Sequence, residues 1–307
     1  MHGIAAFLVA CNTLFAPEAP EDVLKLLAAT QQRTLQDLDR LSYDSRAETR
    51  GWMVEVGRSV VIETTVSVRK QSGTQLVTWA QTGDDSSLDV VESAVWKFLQ
   101  TPGHFIKWQG VSKPEVLVYA LADWREAGRD PVAEFGQMMA SADNLARGCL
   151  GMHTPFFEIY GMAGEWKVLE FDPGGTMRIS RDSPRTDGSL KTDLYLTLHS
   201  QTGLLAEASY LSDTPNAQTQ SFKYVPHDAV PQVPESHSAT NHSRGVPEPR
   251  HLEQTFSNFQ DRSAEPPLTL KDLGLPLQGI IMLNRPDGEV QRQAWDGQEL
   301  EQMKWEF

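Results

Sequence analysis

The stretch Ser59–Arg69, SVVIETTVSVR, constrains the fold more than any other part of this chain. Val60, Ile62, Thr64, Val66 and Val68 alternate with Val61, Glu63, Thr65, Ser67 and Arg69. A period of two over this length predicts a strand with one covered face and one wet face. KQSGT follows, with Gly73 able to take the positive φ that a tight hairpin turn needs, and TQLVTWAQT returns as a second strand. Three more strand-like runs come next: SAVWKFLQ, then HFIKWQG after Pro102-Gly103, then EVLVYAL. Strands joined by short turns predict an antiparallel meander and argue against alternating βαβ units.

Helical spacing occurs in two places. Leu24, Leu27, Ala28, Leu35, Leu38 and Leu41 form one apolar stripe, with Pro20 ahead and Glu21 and Asp22 in the first turn, so a helix is predicted over 21–41. Asp130-Pro131 opens a second helical pattern that ends at Gly148, predicting a helical insertion over about 131–147. Strands then resume with EWKVLEF, TMRIS, DLYLTLHS, LLAEASYLS and TQSFKYV. Residues 226–267 shift to Pro, Ser, His and Asn and predict a linker or loop. GIIMLNRPDGEVQRQAW predicts a hairpin with Arg285–Gly288 at its tip, within a C-terminal extension over 268–307. The predicted class is α+β: a large curved antiparallel sheet, an incomplete β-barrel, covered by an N-terminal helix and a mid-chain helical insertion.

The sequence holds no motif for a nucleophile elbow, a zincin helix, a P-loop or a dinucleotide fingerprint. His227, His237, His242 and His251 are spaced ten, five and nine residues apart, which fits no compact ligand set, and they read as solvated loop histidines. His104 and His153 lack a nucleophile in a recognised context, and Cys149 follows a helix end, where nothing lowers its pKa. A net charge of −14 repels phosphate backbones, so nucleic acid is not an expected partner. No apolar run reaches the roughly 20 residues of a membrane-spanning helix. The expectation is a protein with no enzyme activity, no metal and no cofactor.

Tryptophan is the informative residue. Trp52, Trp79, Trp96, Phe98, Phe105, Trp108, Tyr119 and Trp166 all fall in strand-like runs; many of them must pack a core between the sheet and its helices, but eight tryptophans are generous for a chain of this length. Alternation places Val60, Ile62, Val66 and Val68 on one face, joined by Val77, Trp79, Trp96 and Phe98, as the candidate lining of an apolar cleft.

Near the start, IAAFLVAC ends in Leu8-Val9-Ala10-Cys11, which resembles a bacterial lipobox, although Met1-His2-Gly3 carries no Lys or Arg. The resemblance implies lipidation of Cys11, with residues 1–20 serving as signal and tether. A cleaved secretory signal and a packed N-terminal turn are the other readings of this stretch.

The order of elements resembles the lipoprotein-carrier superfamily, the LolA-, LolB- and RseB-like half-barrels, over roughly 21–238. The resemblance is carried by DVLKLLAATQQRTLQDLDRLSYDSRAETRG, by the hairpin SVVIETTVSVRKQSGTQLVTWAQTG, and by DLYLTLHSQTGLLAEASYLSDTPNAQTQSFKYVPHDAVPQVPESH. It implies a half-barrel domain over 21–225 that holds a lipid acyl chain or a lipoprotein in the cell envelope, periplasmic or membrane-anchored. The helical insertion and the tail after 240 depart from the simple carrier. The alternative is an envelope sensor that binds a protein through a sheet edge or its C-terminal tail.

Overall fold

A computed structural model describes residues 19–38, 40–53, 57–83, 94–109, 115–136, 165–184, 190–212, 218–242, 245–275, 279–300 and 303. Helix α1 covers Pro20–Leu38 and is followed by strands β1 (Leu41–Met53), β2 (Arg58–Gln71), β3 (Thr74–Gly83), β4 (Ala94–Gln100), β5 (His104–Gln109) and β6 (Glu115–Ala120). Two short helices, α2 (Leu121–Glu126) and α3 (Pro131–Phe135), come next. Strands β7 (Glu165–Phe171), β8 (Thr176–Pro184), β9 (Leu190–His199), β10 (Leu205–Ser212), β11 (Gln218–Val225) and β12 (Val233–Asn241) follow. The chain continues with β13 (Arg250–Asp261), a 3-10 turn at Leu270–Leu273, β14 (Ile280–Asn284) and β15 (Val290–Ala294).

The chain divides into two compact units, each built from two segments: Met1–Gln36 with Cys149–Arg244, and Asp37–Gly148 with Gly245–Phe307. The α+β class and the open, mainly antiparallel sheet predicted from sequence hold in both.

In the first unit the strand order is β12-β11-β10-β9-β8-β7. Its covered face is a cross-strand row of Ile179, Leu196, Ala208, Phe222 and His237, directly opposed on five strands. Phe222 and His237 stack with centroids 4.1 Å apart. Val23 and Leu27 of α1 are buried in the same unit. Gly203, in the β9–β10 turn, has φ +66, and a Cβ there would lie 2.6 Å from the backbone of Leu26 and Leu27. Only glycine lets the turn meet the helix at that distance.

In the second unit the order is β15-β14-β6-β5-β4-β3-β2-β1-β13. All of its pairs are antiparallel except β14 with β6, which is parallel. The predicted hairpin turn is Ser72-Gly73, with φ of 43° and 77°. Two consecutive positive φ values are the primed geometry that matches strand twist, and they lock Val68 opposite Val77.

One face of β3–β6 and β14 is filled by the chain's own C-terminal segment. Leu76, Leu99, Ile106, Val116, Val118 and Ile281 pack against Leu268, Leu270, Leu273, Leu275, Trp295, Leu300 and Met303. Polar contacts fix this segment. The Leu268 N–H donates to Thr74 Oγ1 at 2.8 Å, and Lys97 Nζ donates to the Leu273 carbonyl at 2.6 Å. Arg69 pairs with Asp272 at 3.3 Å. Thr269 and Asp272 form a reciprocal capping box, and Gly274 ends the turn in the left-handed region.

The structure departs from the sequence reading in several places. Helix α1 ends at Leu38, and Leu41 opens β1. Residues 226–267, read as a linker or loop, carry β12 and β13. Both strands are dominated by polar side chains, and their order comes from backbone ladders with β11 and β1. His237, read as a solvated loop residue, is accordingly buried. In the helical insertion, α3 has Asp130 as its N-cap, accepting from the Val132 N–H, and Pro131 in its first turn, as predicted. The rest of the insertion, Cys149, His153 and the whole segment Met1–Glu18 with Cys11 lie outside the described residues.

Candidate functional site

The site is built on β2, β3, β4 and β5 of the second unit, on the face opposite the C-terminal segment. The hairpin register and the β3–β4 register together place Val68, Val77 and Phe98 in one directly opposed row. Val66, Trp79 and Trp96 form the next row. Six of the eight residues predicted to line the cleft are therefore neighbours on one surface. Val68, Val77 and Phe98 are fully buried and Val66 is nearly so, whereas Trp79 and Trp96 are only part-buried. Beyond them the next row is Thr64, Gln81 and Ala94, so the surface grades from aliphatic through indole to polar.

The other two predicted residues stand apart. Ile62 is buried opposite Thr49 and Gly83, while Val60 faces Gly51 beyond the end of β3. Val60 lines a separate groove of about 480 Å³ with Arg50, Gly51, Ser59, Val61, Glu248, Pro249 and His251. Gly51 is required there, because a Cβ would lie 2.7 Å from the Arg250 backbone.

Three groups at the site were not among the residues predicted to line it. Tyr43 of β1 is buried opposite Val68 and stacks on Phe259 at 5.7 Å. Lys107 of β5 sits directly opposite Phe98, with its Nζ 5.1 Å from the centroid of the Trp96 ring. At the other end of the face a run of rings continues from Phe98 to Phe105 (6.4 Å) and from Phe105 to Tyr119 (5.8 Å). Tyr119 in turn meets Phe135 of α3 at 4.8 Å and Trp124 of α2 at 5.4 Å. Burial pushes the Tyr119 phenol above the usual tyrosine range. Arg129 lies over Trp124 at 4.4 Å and pairs with Glu134, which fixes the two helices at that end. Alternation within HFIKWQG would have put Phe105 and Lys107 on one face. Choosing which face joins Trp96 required the register across the β4–β5 turn.

Elsewhere, a polar groove of about 400 Å³ in the first unit is lined by Arg178, Tyr195, Thr197, Glu207 and Ser209. Among the described residues, no three His, Cys, Asp or Glu side chains come close enough to hold a metal ion. His227, His237, His242 and His251 do not converge into such a group. Among the described residues, no helix is long and apolar enough to cross a membrane.

No protein-family model matches the sequence, and no curated protein matches it. Among solved structures, the chain is similar to a DUF1329 family protein from Desulfovibrio piger, at 11% identity and a TM-score of 0.29, over 82% of this chain and 98% of that one. It is similar to an outer membrane lipoprotein-sorting protein domain from Vibrio parahaemolyticus at 10% identity and a TM-score of 0.29, over 80% of this chain and 96% of that one. LprF from Mycobacterium bovis is similar at 12% identity and a TM-score of 0.27, over 81% and 97% of the two chains.

Proposed function

We propose that this chain is an exported, non-enzymatic binding protein of the cell envelope, tethered through Cys11, that holds an acyl chain of a lipid or lipoprotein against β2–β4. One observation carries the reading: six apolar side chains from three strands form a continuous surface that ends in two part-exposed tryptophans. An acyl chain laid along Val66, Val68, Val77 and Phe98 would gain about 0.8 kcal/mol for each methylene removed from water. Those residues are buried, so an acyl chain enters by displacing what covers them.

Titration with cis-parinaric acid tests the ligand class. Saturable binding to the wild-type chain, abolished in Val77→Glu, is expected; no binding to a folded wild-type chain overturns the reading. Intact mass of protein purified from bacterial membranes tests the tether. A mature chain starting at Cys11 with added acyl mass, lost in Cys11→Ala, is the expected result.

The second reading, an envelope interaction protein, is favoured by one feature. β7 ends its sheet among the described residues, and it exposes Val168 and Leu169 to about the same extent, 47% and 46%. An edge with free backbone groups and apolar side chains suits an added strand from a partner. The C-terminal tail is the weaker version of that reading, since Leu268–Leu275 and Trp295–Met303 contribute to the core.

A further inference from the structure

We propose that the amphiphile taken by the β2–β5 face is anionic, with the phosphate of its headgroup seated at Lys107 beside Trp96 and Trp79. The proposal rests on the acyl-chain reading above and adds the headgroup chemistry to it.

Lys107 is placed by register directly opposite Phe98, at the apolar row itself and not at its margin. Its Nζ leans back over the Trp96 ring, which lies directly opposite Trp79. The cation is thereby held where the surface changes from aliphatic to indole. Tryptophan is suited to such a boundary, with an apolar body and one polar N–H. A lysine stem covers apolar surface while its head stays wet.

Among the described residues Lys107 makes no ion pair. Glu115, on the adjacent strand and the same face, one alternation away from Leu117 opposite Lys107, is not within ion-pair distance of it. The contrast within the sheet is direct. Arg46 pairs with Glu63, and Arg69 with Asp272, so those cations are already compensated. In a chain of net charge −14, a cation that makes no ion pair among the described residues and is set in the row of Val68, Val77 and Phe98 is a local exception. Charge complementarity therefore selects an anion, and the apolar rows beside it select one carrying a hydrocarbon chain. A phosphate oxygen accepting from Lys107 Nζ makes a charge-assisted hydrogen bond in a partly dry setting.

The test uses the full chain and two soluble lipids with identical tails, dihexanoyl phosphatidylglycerol and dihexanoyl phosphatidylcholine, each below its micelle-forming concentration. Binding is followed by calorimetry and by tryptophan emission, with Trp96→Phe assigning the signal. Both lipids offer Lys107 the same phosphodiester, but only phosphatidylglycerol is a net anion, the choline ammonium offsetting the attraction in the other, so wild type is expected to prefer the glycerol headgroup about tenfold. Lys107→Gln should abolish that preference, and Lys107→Arg should keep it. Equal affinity for the two lipids in wild type overturns the proposal and leaves the acyl-chain reading standing. Failure to bind either lipid or parinaric acid overturns both. Preference retained in Lys107→Gln shows that another group reads the headgroup. If inorganic phosphate alone binds Lys107 as tightly as the anionic lipid does, the site is a small-anion site, and the proposal again fails.

Discussion

The two faces of the β3–β5 sheet are built from the same strands, yet they are finished differently. On one, Leu76, Leu99 and Ile106 meet leucines and a tryptophan from the last forty residues of the chain, and hydrogen bonds pin that segment at Thr74 and Lys97. On the other, Val77 and Phe98 are just as buried, but the adjoining row is two part-exposed indoles with a lysine laid over one of them. A face filled by the leucines of one segment, which hydrogen bonds pin at Thr74 and Lys97, is a structural core. A face that grades toward water through tryptophan and lysine is organised as an amphipathic surface. Burial alone does not separate the two; the chemistry of the margin does.

Four measurements sharpen or break that contrast. Phe98→Ala should lower the unfolding free energy by about 3–5 kcal/mol, and added acyl ligand should restore part of the loss in urea denaturation. No rescue would make the two faces equivalent. Ile106→Ala, on the closed face, should cost about 2–5 kcal/mol and show no recovery with the same ligand. Thr74→Val orphans the buried Leu268 N–H and should cost about 1–3 kcal/mol. It should also raise hydrogen exchange across residues 268–275 ahead of global unfolding.

The smallest effect concerns Lys97. Burial first, and the nearby Arg69 second, hold its ammonium below the usual lysine range. The unfolded chain therefore binds more protons than the folded one between the lowered value and about 10.4. Stability should rise slightly as pH increases through that interval, and the rise should vanish in Lys97→Met. A fall in wild type over the same interval would contradict the burial of this group.

Much of the fold was legible because apolar alternation and turn chemistry agree locally. Ser59–Arg69, the Ser72-Gly73 turn and the Arg285–Gly288 tip all stand where the residues placed them. β1 was harder to see. Between its apolar ends, Leu41 and Tyr43 at one and Trp52 and Met53 at the other, one face is Asp44, Arg46, Glu48 and Arg50 and the other is Ser45, Ala47, Thr49 and Gly51, so no apolar stripe runs through the strand. What makes it a strand is a ladder on each side, to β2 and β13, and no local pattern records a partner two hundred residues away. β12 and β13 were hidden for the same reason. Of the site, the six clustered residues were readable from period two in β2, β3 and β4. Lys107 was not, because the face a strand presents to its neighbour is set by register. The parallel docking of β14 on β6 is likewise a tertiary choice.

The placement of β1 between β2 and β13 also bears on biogenesis. Its first neighbour is made within seconds, but its second begins at Arg250, after the whole of Cys149–Arg244 has been laid down for the other unit. At about 5–20 residues per second, roughly ten to forty seconds separate the two strands on the ribosome. For that interval a thirteen-residue strand has one bare edge. Leu76, Leu99 and Ile106 wait still longer for their cover, which is synthesised last. Nascent chains of this protein thus carry a sticky, half-built sheet for most of their synthesis. The yield of folded protein should depend on chaperone supply and growth temperature more steeply than its final stability suggests.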